Sequence, residues 1–335
     1  MGKKARAVSA ALTAAAVGAG TAVYEKKIKH RSYSGVAGLP KSTASEILVP
    51  GCLVAEGGSL RGVYTAGVMD ALMLHDINLQ TTVGVSAGAM CGFNYVSGQI
   101  GRTARFNLSN RFNQRYVGLP AFLVNRSPFG FRYVFHGKTN VEPFDEARFD
   151  RPERRFVAVA CNIETGQAEY FEKGKTPDIF RAIRASASLP IFSEAVRIGD
   201  QRYLDGGCAV NIAYQWALDE GFEKILVVRT RDRSFRKTAA RSAGRAGLGE
   251  KLEAREYRRY PRLREALHDA DARYDRECEE LLRLEAEGRI FVIAPSVPPE
   301  VSRLERDLEK LGALYWLGYH DAEASLPALR DYLAR

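Results

Sequence analysis

The chain has 335 residues, of which 46% are hydrophobic and 27% charged, close to the average for globular proteins. This composition excludes a mainly disordered or collagen-like chain, and the length suffices for one large α/β domain or two modest ones. The five cysteines lie far apart and form no C-x-x-C pair. Neither a disulfide framework nor a structural zinc site is therefore expected, and a reducing compartment is favoured.

The net charge of +9 is concentrated in two stretches. Residues 1–31 carry seven basic residues against Glu25 alone, and residues 231–276 carry 14 basic against 8 acidic residues. A basic terminus with a basic arm suits an anionic membrane surface, with a solvated helical face as the alternative for 231–276. Nucleic acid is not expected as a partner, because no zinc-finger spacing or RNA-binding aromatic motif accompanies the charge.

An uncharged stretch near the N-terminus raises the question of export or membrane anchoring. Residues 7–24 are uncharged and follow a basic start, as in a signal peptide. They consist mostly of Ala, Gly, Ser and Thr with a single Leu, so their drive into lipid is weak. We expect a cytoplasmic protein, with membrane association, export or N-terminal anchoring left open.

Apolar runs and helical spacings alternate along the first part of the chain. Pro50 is expected to interrupt the first apolar run, so that the strand begins after it. The predicted elements are a strand at 52–56, a helix at 63–76, a strand at 81–86, a helix at 87–98, a hairpin of strands at 155–163 and 168–173, a helix at 177–187, a hairpin across Gly199-Asp200, a helix at 211–218 and a strand at 224–230. This alternation is typical of a parallel α/β sheet.

The remaining residues are predicted to be mostly helical. A charged stretch at 250–287 is broken by Pro261, and a last strand follows at 289–295. The helical residues 300–335 are expected to be interrupted near Gly318.

The chain is expected to divide into three segments. Residues 1–45 form a basic, alanine-rich leader, and residues 46–230 form a three-layer α/β/α core with a mostly parallel central sheet. Residues 231–335 form a basic helical extension with one strand, packed on the core. The aromatic-rich residues 100–150 are predicted to serve as core and loop packing.

Gly84-Val85-Ser86-Ala87-Gly88 is a G-x-S-x-G motif between a predicted strand and a small-residue helix. Gly84 and Gly88 allow a strand to turn sharply into a helix, which leaves Ser86 on a strained, exposed elbow. The helix N-terminus favours an anion beside this serine. A nucleophile is the preferred interpretation of Ser86, and a helix N-cap is the alternative.

A glycine-rich turn, Gly57-Gly58-Ser59-Leu60-Arg61-Gly62, precedes the first helix. Such turns aim several backbone N–H groups at one point, as an oxyanion or a phosphate requires. No G-K-[ST] follows, as in a Walker A loop, and Ser59 breaks the G-x-G-x-x-G pattern of dinucleotide-binding proteins. An oxyanion hole for Ser86 is therefore preferred to phosphate binding.

Asp205-Gly206-Gly207 follows a short predicted strand. A carboxylate at a strand end, with glycines behind it, can approach a serine closely and accept its hydroxyl proton. Taken alone, the triplet is more typical of a turn aspartate in an Asp-Gly hairpin.

The three motifs together resemble those of the patatin-like phospholipase family, in which a G-G-G-x-R-G turn, a G-x-S-x-G elbow and a D-G-[GA] triplet occur in this order. Arg184–Pro190 is also similar to the family's helix-ending A-S-x-x-x-P segment. The resemblance covers residues 50–230, and residues 231–335 are similar to the tail of a bacterial patatin-like subgroup. Ser59 replaces the family's third glycine; serine keeps the backbone N–H but prefers a negative φ.

The resemblance implies a patatin-like fold and lipid acyl hydrolysis by a Ser-Asp dyad, with no metal and no cofactor. Ser86 would attack a carboxylic ester and form an acyl-enzyme, while Asp205 would take the serine proton and later activate water. The backbone N–H groups of Gly57, Gly58 and Ser59 would form the oxyanion hole. The expected substrate is a lipid ester, either a phospholipid or a lysophospholipid.

The other motif residues are expected to support this arrangement. Arg61 would brace the glycine-rich loop or meet a phosphate head group, and bracing is preferred. The supporting residues are Arg61, Gly62, Gly84, Gly88, Gly206 and Gly207.

Three other functions remain open. A Ser-His-Asp esterase would use His268 or His320, although neither follows a strand in a small-residue loop. A catalytically silent lipid-surface protein would keep the fold without turnover. A nucleotide-binding module would use the glycine-rich turn. All three motifs keep the residue types that catalysis needs, which favours the enzyme.

Overall fold

The computed structural model describes residues 32–136, 142–242 and 255–335, so most of the expected leader lies outside the described residues. Within these ranges, eight strands form one sheet and two short strands form a separate pair. The strands are β1 (Ser42–Thr43), β2 (Val49–Ala55), β3 (Leu79–Val85), β4 (Gln99–Ile100), β5 (Arg155–Asn162), β6 (Ala168–Glu172), β7 (Val196–Ile198), β8 (Gln201–Asp205), β9 (Ile225–Val228) and β10 (Phe291–Ile293).

The helices of the described ranges differ greatly in length. These ranges also contain three single turns of the 3₁₀ type, at Val36–Gly38, Ser59–Arg61 and Gly206–Cys208. The α-helices are α1 (Gly62–Leu74), α2 (Ala87–Val96), α3 (Arg102–Asn110), α4 (Leu119–Asn125), α5 (Phe131–His136), α6 (Glu146–Phe149), α7 (Ile179–Ser186), α8 (Tyr214–Asp219), α9 (Lys237–Ser242), α10 (Pro261–His268), α11 (Ala270–Ala286) and α12 (Leu308–Ala334). In the part of the chain that the structure describes, no helix combines the length and apolar character needed to cross a membrane.

Helices cover both faces of the large sheet. In β2, Leu53 and Ala55 belong to a buried cluster with α1 and α12, whereas Cys52 and Val54 belong to a cluster with α8 and α11. Alternate residues of a strand point to opposite faces, so a strand buried on both faces is apolar throughout. The predicted three-layer α/β/α arrangement is confirmed.

The sheet is mostly parallel, as predicted. Hydrogen bonding runs through the strands in the order β10-β9-β2-β3-β5-β8-β7, and β6 also pairs with β5. The four pairs from β10 to β5 are parallel, whereas β6, β7 and β8 form antiparallel pairs. Strand β10, which the sequence assigns to the extension, extends the sheet beside β9. The division of the chain into leader, core and extension stays a prediction.

The register along β5 brings two distant strands end to end. Val85 at the end of β3 pairs with Val159, and Asp205 at the end of β8 pairs with Ala160. Strand β6 pairs with β5 beside both of them, so it occupies the opposite edge of β5. Because a strand has only two edges, β3 and β8 share one edge and their carboxyl ends meet.

Two local expectations are wrong. Pro50 lies inside β2 rather than before it, at a register shift between Val49 and Cys52 where the ladder is already interrupted, which is a position that tolerates proline. Gly318 does not interrupt the last helix, because α12 runs continuously from Leu308 to Ala334.

Two glycines instead allow α12 to approach α1 closely. A Cβ atom on Gly318 would lie 2.2 Å from the carbonyl oxygen of Tyr64, and one on Gly67 would lie 2.1 Å from the carbonyl oxygen of Tyr315. Both contacts are with rigid helix backbone, which a side chain cannot displace cheaply. Gly318 therefore permits helix packing, where the sequence suggests a break.

Gly318→Ala should lower the free energy of unfolding by about 1–2 kcal/mol, because overpacking against Tyr64 outweighs the better helix propensity of alanine. Urea denaturation followed by circular dichroism measures this change. Gly38→Ala is the control, since a Cβ there meets nothing within 4 Å. Equal stability of the two variants would contradict the close approach of the helices.

Candidate active site

Ser86 lies at a sharp turn between β3 and α2. Its backbone has φ 54° and ψ −117°, a conformation that costs a non-glycine residue about 1–3 kcal/mol. A Cβ on Gly84 would lie 2.5 Å from the amide nitrogen of Ala89, and one on Gly88 would lie 2.2 Å from the carbonyl oxygen of Ala55. Only glycine fits at both places, which explains the spacing of the motif.

The hydroxyl of Ser86 donates a hydrogen bond to a carboxylate. Ser86 Oγ lies 2.6 Å from Asp205 Oδ2, and both residues are buried. The other carboxylate oxygen, Asp205 Oδ1, accepts from the backbone N–H of Gly207 at 2.8 Å. A Cβ on Gly206 would lie 2.4 Å from the carbonyl oxygen of Val159, so this glycine allows the turn to pack against β5.

Burial raises the pKa of Asp205 to about 6. The hydrogen bonds from Ser86 and Gly207 and the charges of Arg303 and Lys237 oppose this rise. At neutral pH the carboxylate is thus ionised, yet its pKa lies close enough to 7 for proton transfer in both directions.

The glycine-rich turn lies directly against the serine. A Cβ on Gly57 would lie 3.2 Å from Ser86 Cβ. The N–H of Gly57 donates to the carbonyl oxygen of Asn211 at 3.4 Å, whereas the N–H groups of Gly58 and Ser59 bond to no residue that the structure describes. Ser59 adopts φ 52°, so it takes the left-handed conformation expected of the glycine it replaces.

Thr230, a residue that the sequence analysis missed, braces the glycine-rich turn. Thr230, just after β9, donates from its hydroxyl to the carbonyl oxygen of Gly57 at 3.0 Å, and its N–H donates to Glu56 at 2.6 Å. A Cβ on Gly58 would lie 2.6 Å from the Thr230 hydroxyl oxygen. No local sequence signal marks Thr230, because it reaches the turn only through the sheet.

Helix α7 and the residues after it hold the dyad from the opposite side. The N–H of Ser86 donates to Ser186 Oγ at 2.9 Å, and the N–H of Asp205 donates to the carbonyl oxygen of Ser188 at 2.8 Å. Both serines belong to the segment Arg184–Pro190. The similarity of this segment to the family motif is the sequence feature that indicates its place at the site.

Arg61 and Gly62 begin α1 behind the turn. Burial, together with the charges of Arg231 and Arg303, lowers the pKa of Arg61 to about 10. A Cβ on Gly62 would lie 2.8 Å from Ala87 Cβ, so the absence of a side chain lets α1 pass the start of α2. The role of Arg61 in bracing the loop stays a prediction.

A largely apolar pocket with a volume of about 80 Å³ opens beside Ser86. Aromatic residues of the 100–150 region, expected only to pack the core and loops, also form part of its wall. Arg102 and Asn94 contribute a polar part, joined by a 2.6 Å hydrogen bond. The apolar wall includes Met90, Phe93, Phe106, Phe129, Phe131 and Val134.

The candidate histidines lie on the surface. His320 Nδ1 contacts Glu323 at 3.1 Å, and His268 is an exposed residue at the end of α10. Among the described residues, the side-chain partner of Ser86 Oγ is Asp205, not a histidine.

Comparison with known proteins agrees with the motifs. Residues 53–216 match the model of the family described as patatin-like phospholipase, and residues 260–334 match a domain of unknown function, DUF6363. The predicted resemblance is therefore confirmed: residues 53–216 form a patatin-like phospholipase domain.

Two curated relatives match about half of the chain. The uncharacterized protein YjjU of Escherichia coli K12 is 26% identical over 53% of this chain and 51% of its own length. The probable lipid hydrolase 463L of Invertebrate iridescent virus 6 is 24% identical over 46% of this chain and 59% of its own. The chain thus spans about half the length of the curated relatives it matches.

Among solved structures, VipD from Legionella pneumophila is 14% identical, with a TM-score of 0.44. The alignment covers 87% of this chain and 69% of VipD.

The rate at which a fluorophosphonate labels Ser86 should rise with pH through about 6 and level off above it. In the predicted dyad, ionised Asp205 would accept the serine proton. Burial raises the pKa of Asp205 to about 6, so protonation below that value would remove the base. Intact-protein mass spectrometry at timed intervals measures the rate. In Asp205→Asn the labelling should be slow and lack this dependence; a rate in the unmodified protein that is flat with pH would contradict Asp205 as the base.

Ser59→Gly should raise the free energy of unfolding by about 1 kcal/mol, because glycine adopts the positive φ of this position without strain. Ser296→Gly serves as the control, since Ser296 is exposed and has no positive φ. Chemical denaturation compares the two. A loss of stability in both variants would show that Ser59 is not strained.

Proposed function

We propose that this protein is a serine acyl hydrolase that cleaves carboxylic esters of lipids through Ser86 and Asp205. The observation that carries the proposal is the 2.6 Å hydrogen bond between Ser86 Oγ and Asp205 Oδ2 at the wall of an apolar pocket. The match of residues 53–216 to a phospholipase family agrees with this activity. The name of the viral relative, a probable lipid hydrolase, points to the same class of reaction.

In the first half of the reaction, Ser86 Oγ attacks the ester carbonyl carbon while Asp205 accepts the hydroxyl proton. The charge that develops on the carbonyl oxygen is stabilised by backbone N–H groups of the glycine-rich turn. Gly58 and Ser59 are the better donors, because the Gly57 N–H is directed to Asn211. Collapse of the intermediate breaks the bond to the leaving alcohol, which takes the proton from Asp205.

In the second half, water attacks the acyl-enzyme. Asp205 accepts a proton from that water, the bond between Ser86 Oγ and the acyl carbon breaks, and Ser86 Oγ recovers its proton. The products are a free fatty acid and the unmodified enzyme. A carboxylate with a pKa of about 6 suits both proton transfers at neutral pH.

The pocket favours an acyl chain as the bound part of the substrate. Its wall beside Ser86 is mainly aliphatic and aromatic, which rewards burial of a hydrocarbon chain. A phospholipid or a lysophospholipid is the proposed substrate. Arg61 is proposed to brace the glycine-rich turn, with contact to a phosphate head group as the alternative.

The alternatives are less well supported. A Ser-His-Asp esterase needs a histidine at the serine, whereas His268 and His320 are exposed elsewhere. Nucleotide binding at the glycine-rich turn would not account for the hydrogen bond between Ser86 and Asp205. A catalytically silent lipid-surface protein has the same structure as the enzyme, so only turnover distinguishes the two.

Hydrolysis of p-nitrophenyl esters by Ser86→Ala and by Asp205→Asn should fall by at least about 10⁴-fold, because each variant lacks one half of the proton-transfer pair. Spectrophotometric assay and fluorophosphonate labelling measure turnover and the nucleophile. His268→Ala and His320→Ala should retain most turnover.

Two matched variants control for nonspecific damage. Ser97→Ala removes another buried hydroxyl, just after α2, and Asp200→Asn removes an exposed turn carboxylate. Both should keep near-normal rates. A loss of turnover of about 10⁴-fold in either histidine variant would indicate a triad. If the protein without substitutions neither hydrolyses the esters nor reacts with the fluorophosphonate, a lipid-binding role is indicated.

The basic arm at 231–276 is a weaker candidate for membrane attachment than its charge suggests. Burial lowers the pKa of Lys237 to about 8. Arg233 pairs with Glu285, and Arg273 donates to the carbonyl oxygen of Cys208 at 2.6 Å. These side chains serve the fold, while residues 1–31 and 243–254 lie outside the described residues.

A further inference from the structure

Helix α4 exposes its large apolar residues and buries its small ones. Ala121 and Asn125 are buried, whereas Leu119, Leu123 and Val124 are 69, 63 and 65% exposed. An amphipathic helix of a globular domain shows the reverse pattern. A run of exposed apolar side chains destabilises a soluble surface unless it has a function. The apolar tip, as we name this surface, consists of Leu119, Phe122, Leu123 and Val124.

Polar bonds on the inner side hold the apolar tip outward. Asn125 Nδ2 donates to the carbonyl oxygen of Ala121 at 2.9 Å, and Asn125 Oδ1 accepts from the N–H of Arg132 at 3.0 Å. Arg184 on α7 donates to the carbonyl oxygen of Asn125 at 2.6 Å. Turning the helix over to bury the apolar tip would break the bonds to Arg132 and Arg184, so these two contacts maintain the exposure.

The chain on either side of α4 forms part of the pocket wall. Val117 and Phe129, which flank the segment that contains α4, form an antiparallel bridge. The N–H of Gly130 donates to the carbonyl oxygen of Tyr116 at 2.7 Å. Tyr116 and Phe129 both line the pocket that opens at Ser86. The apolar tip therefore projects from the rim of the candidate active site.

A second segment joins the same rim. Ser193 Oγ lies 3.0 Å from Ser127 Oγ, and the N–H of Glu194 donates to the carbonyl oxygen of Arg126 at 2.8 Å. Phe192, the residue before Ser193, is 56% exposed. The exposed apolar surface thus extends beyond α4 to the loop that follows α7.

The surroundings of the apolar tip are basic. The sequence contains no Asp or Glu between Asp76 and Glu142. Within that stretch, Arg115, Arg126 and Arg132 are exposed close to α4 in the chain. Glu194 is an acidic residue on the adjoining loop, and the three arginines outnumber it.

We infer that the apolar tip and these arginines form the surface by which the protein docks on an anionic lipid bilayer. Exposed apolar side chains flanked by basic ones are the combination that inserts at the head-group boundary of anionic membranes. Docking there would place the rim of the pocket at the source of its lipid. The inference rests on the proposed function only in naming that lipid as substrate.

A second copy of the chain is a poorer occupant. In a two-fold symmetric dimer the same patch meets itself, so the arginines of the two copies would face each other. A bilayer with anionic head groups instead satisfies both the apolar and the basic parts. The bilayer is therefore the occupant that the charge distribution favours.

The test is co-flotation of full-length protein with vesicles, using the Ser86→Ala background so that the lipid is not consumed. Vesicles of mixed phosphatidylcholine and phosphatidylglycerol should bind the protein more tightly than phosphatidylcholine alone. Leu123→Asp should weaken this binding by at least about tenfold, because a charge replaces an inserted leucine. Arg126→Gln and Arg132→Gln should each weaken it by about fivefold, only with anionic vesicles.

Ile47→Asp is the matched control. Ile47 is 57% exposed and lies just before β2, at the amino-terminal ends of the parallel strands, whereas Ser86 follows the carboxyl end of β3. It should bind vesicles normally. Circular dichroism of each variant excludes misfolding, and hydrolysis of a soluble p-nitrophenyl ester in the Ser86 form should be unchanged by Leu123→Asp and by Ile47→Asp.

The outcomes separate docking from catalysis. Absence of vesicle binding, or equal losses in Leu123→Asp and Ile47→Asp, would overturn the docking surface. A change of oligomeric state in Leu123→Asp on size-exclusion chromatography, with vesicle binding intact, would assign the apolar tip to a dimer and also overturn it. Vesicle binding that depends on Leu123, in a protein inert toward esters, would support docking while rejecting the hydrolase.

Discussion

The candidate active site depends on the register of strand β5. Because β3 and β8 lie end to end along one edge of β5, Val85 and Asp205 pair with the neighbouring residues Val159 and Ala160. Ser86, the next residue after Val85, must then meet Asp205, although 119 positions separate them in the chain. A shift of one residue in either pairing would turn every side chain of that strand to the opposite face and separate the pair. The dyad is thus a consequence of sheet pairing, and loops only complete it.

That geometry is maintained at a local cost. Ser59 and Ser86 both adopt positive φ, and Asp205 is ionised although it is buried. Each of these features destabilises the folded chain by itself. Hydrogen bonds from neighbouring elements compensate: Thr230 holds the glycine-rich turn, and Ser186 accepts from the Ser86 amide. The strained residues are the proposed nucleophile and a proposed oxyanion donor, and backbone strain is commonly found at functional sites.

The sequence predicts the parts of this site that are local. A turn into a helix without room for a side chain requires glycine, so Gly84 and Gly88 reveal the elbow before any contact is known. The bracing role of Thr230 has no local pattern, because it depends on which strand lies beside β2. The same limit explains Gly318, which resembles a helix interruption in the sequence but allows α12 to pack against α1. The spacing of glycines in a motif indicates the local backbone conformation. The order of strands in the sheet determines which residues far apart in the chain come into contact.

The exposure of the apolar residues of helix α4 is a second feature that the sequence does not predict. Its run of apolar residues predicts burial, and only the three-dimensional contacts show that Ala121 and Asn125 take the interior instead. Burying Leu123 and Val124 would stabilise the isolated protein. Their exposure therefore indicates a partner that covers these side chains and removes them from water. The polar bonds of Asn125 fix that exposure, and the chain leading into and out of α4 forms the pocket wall. Because the rim is continuous with the wall of the pocket, the proposed lipid-docking surface and Ser86 are connected through one short stretch of chain.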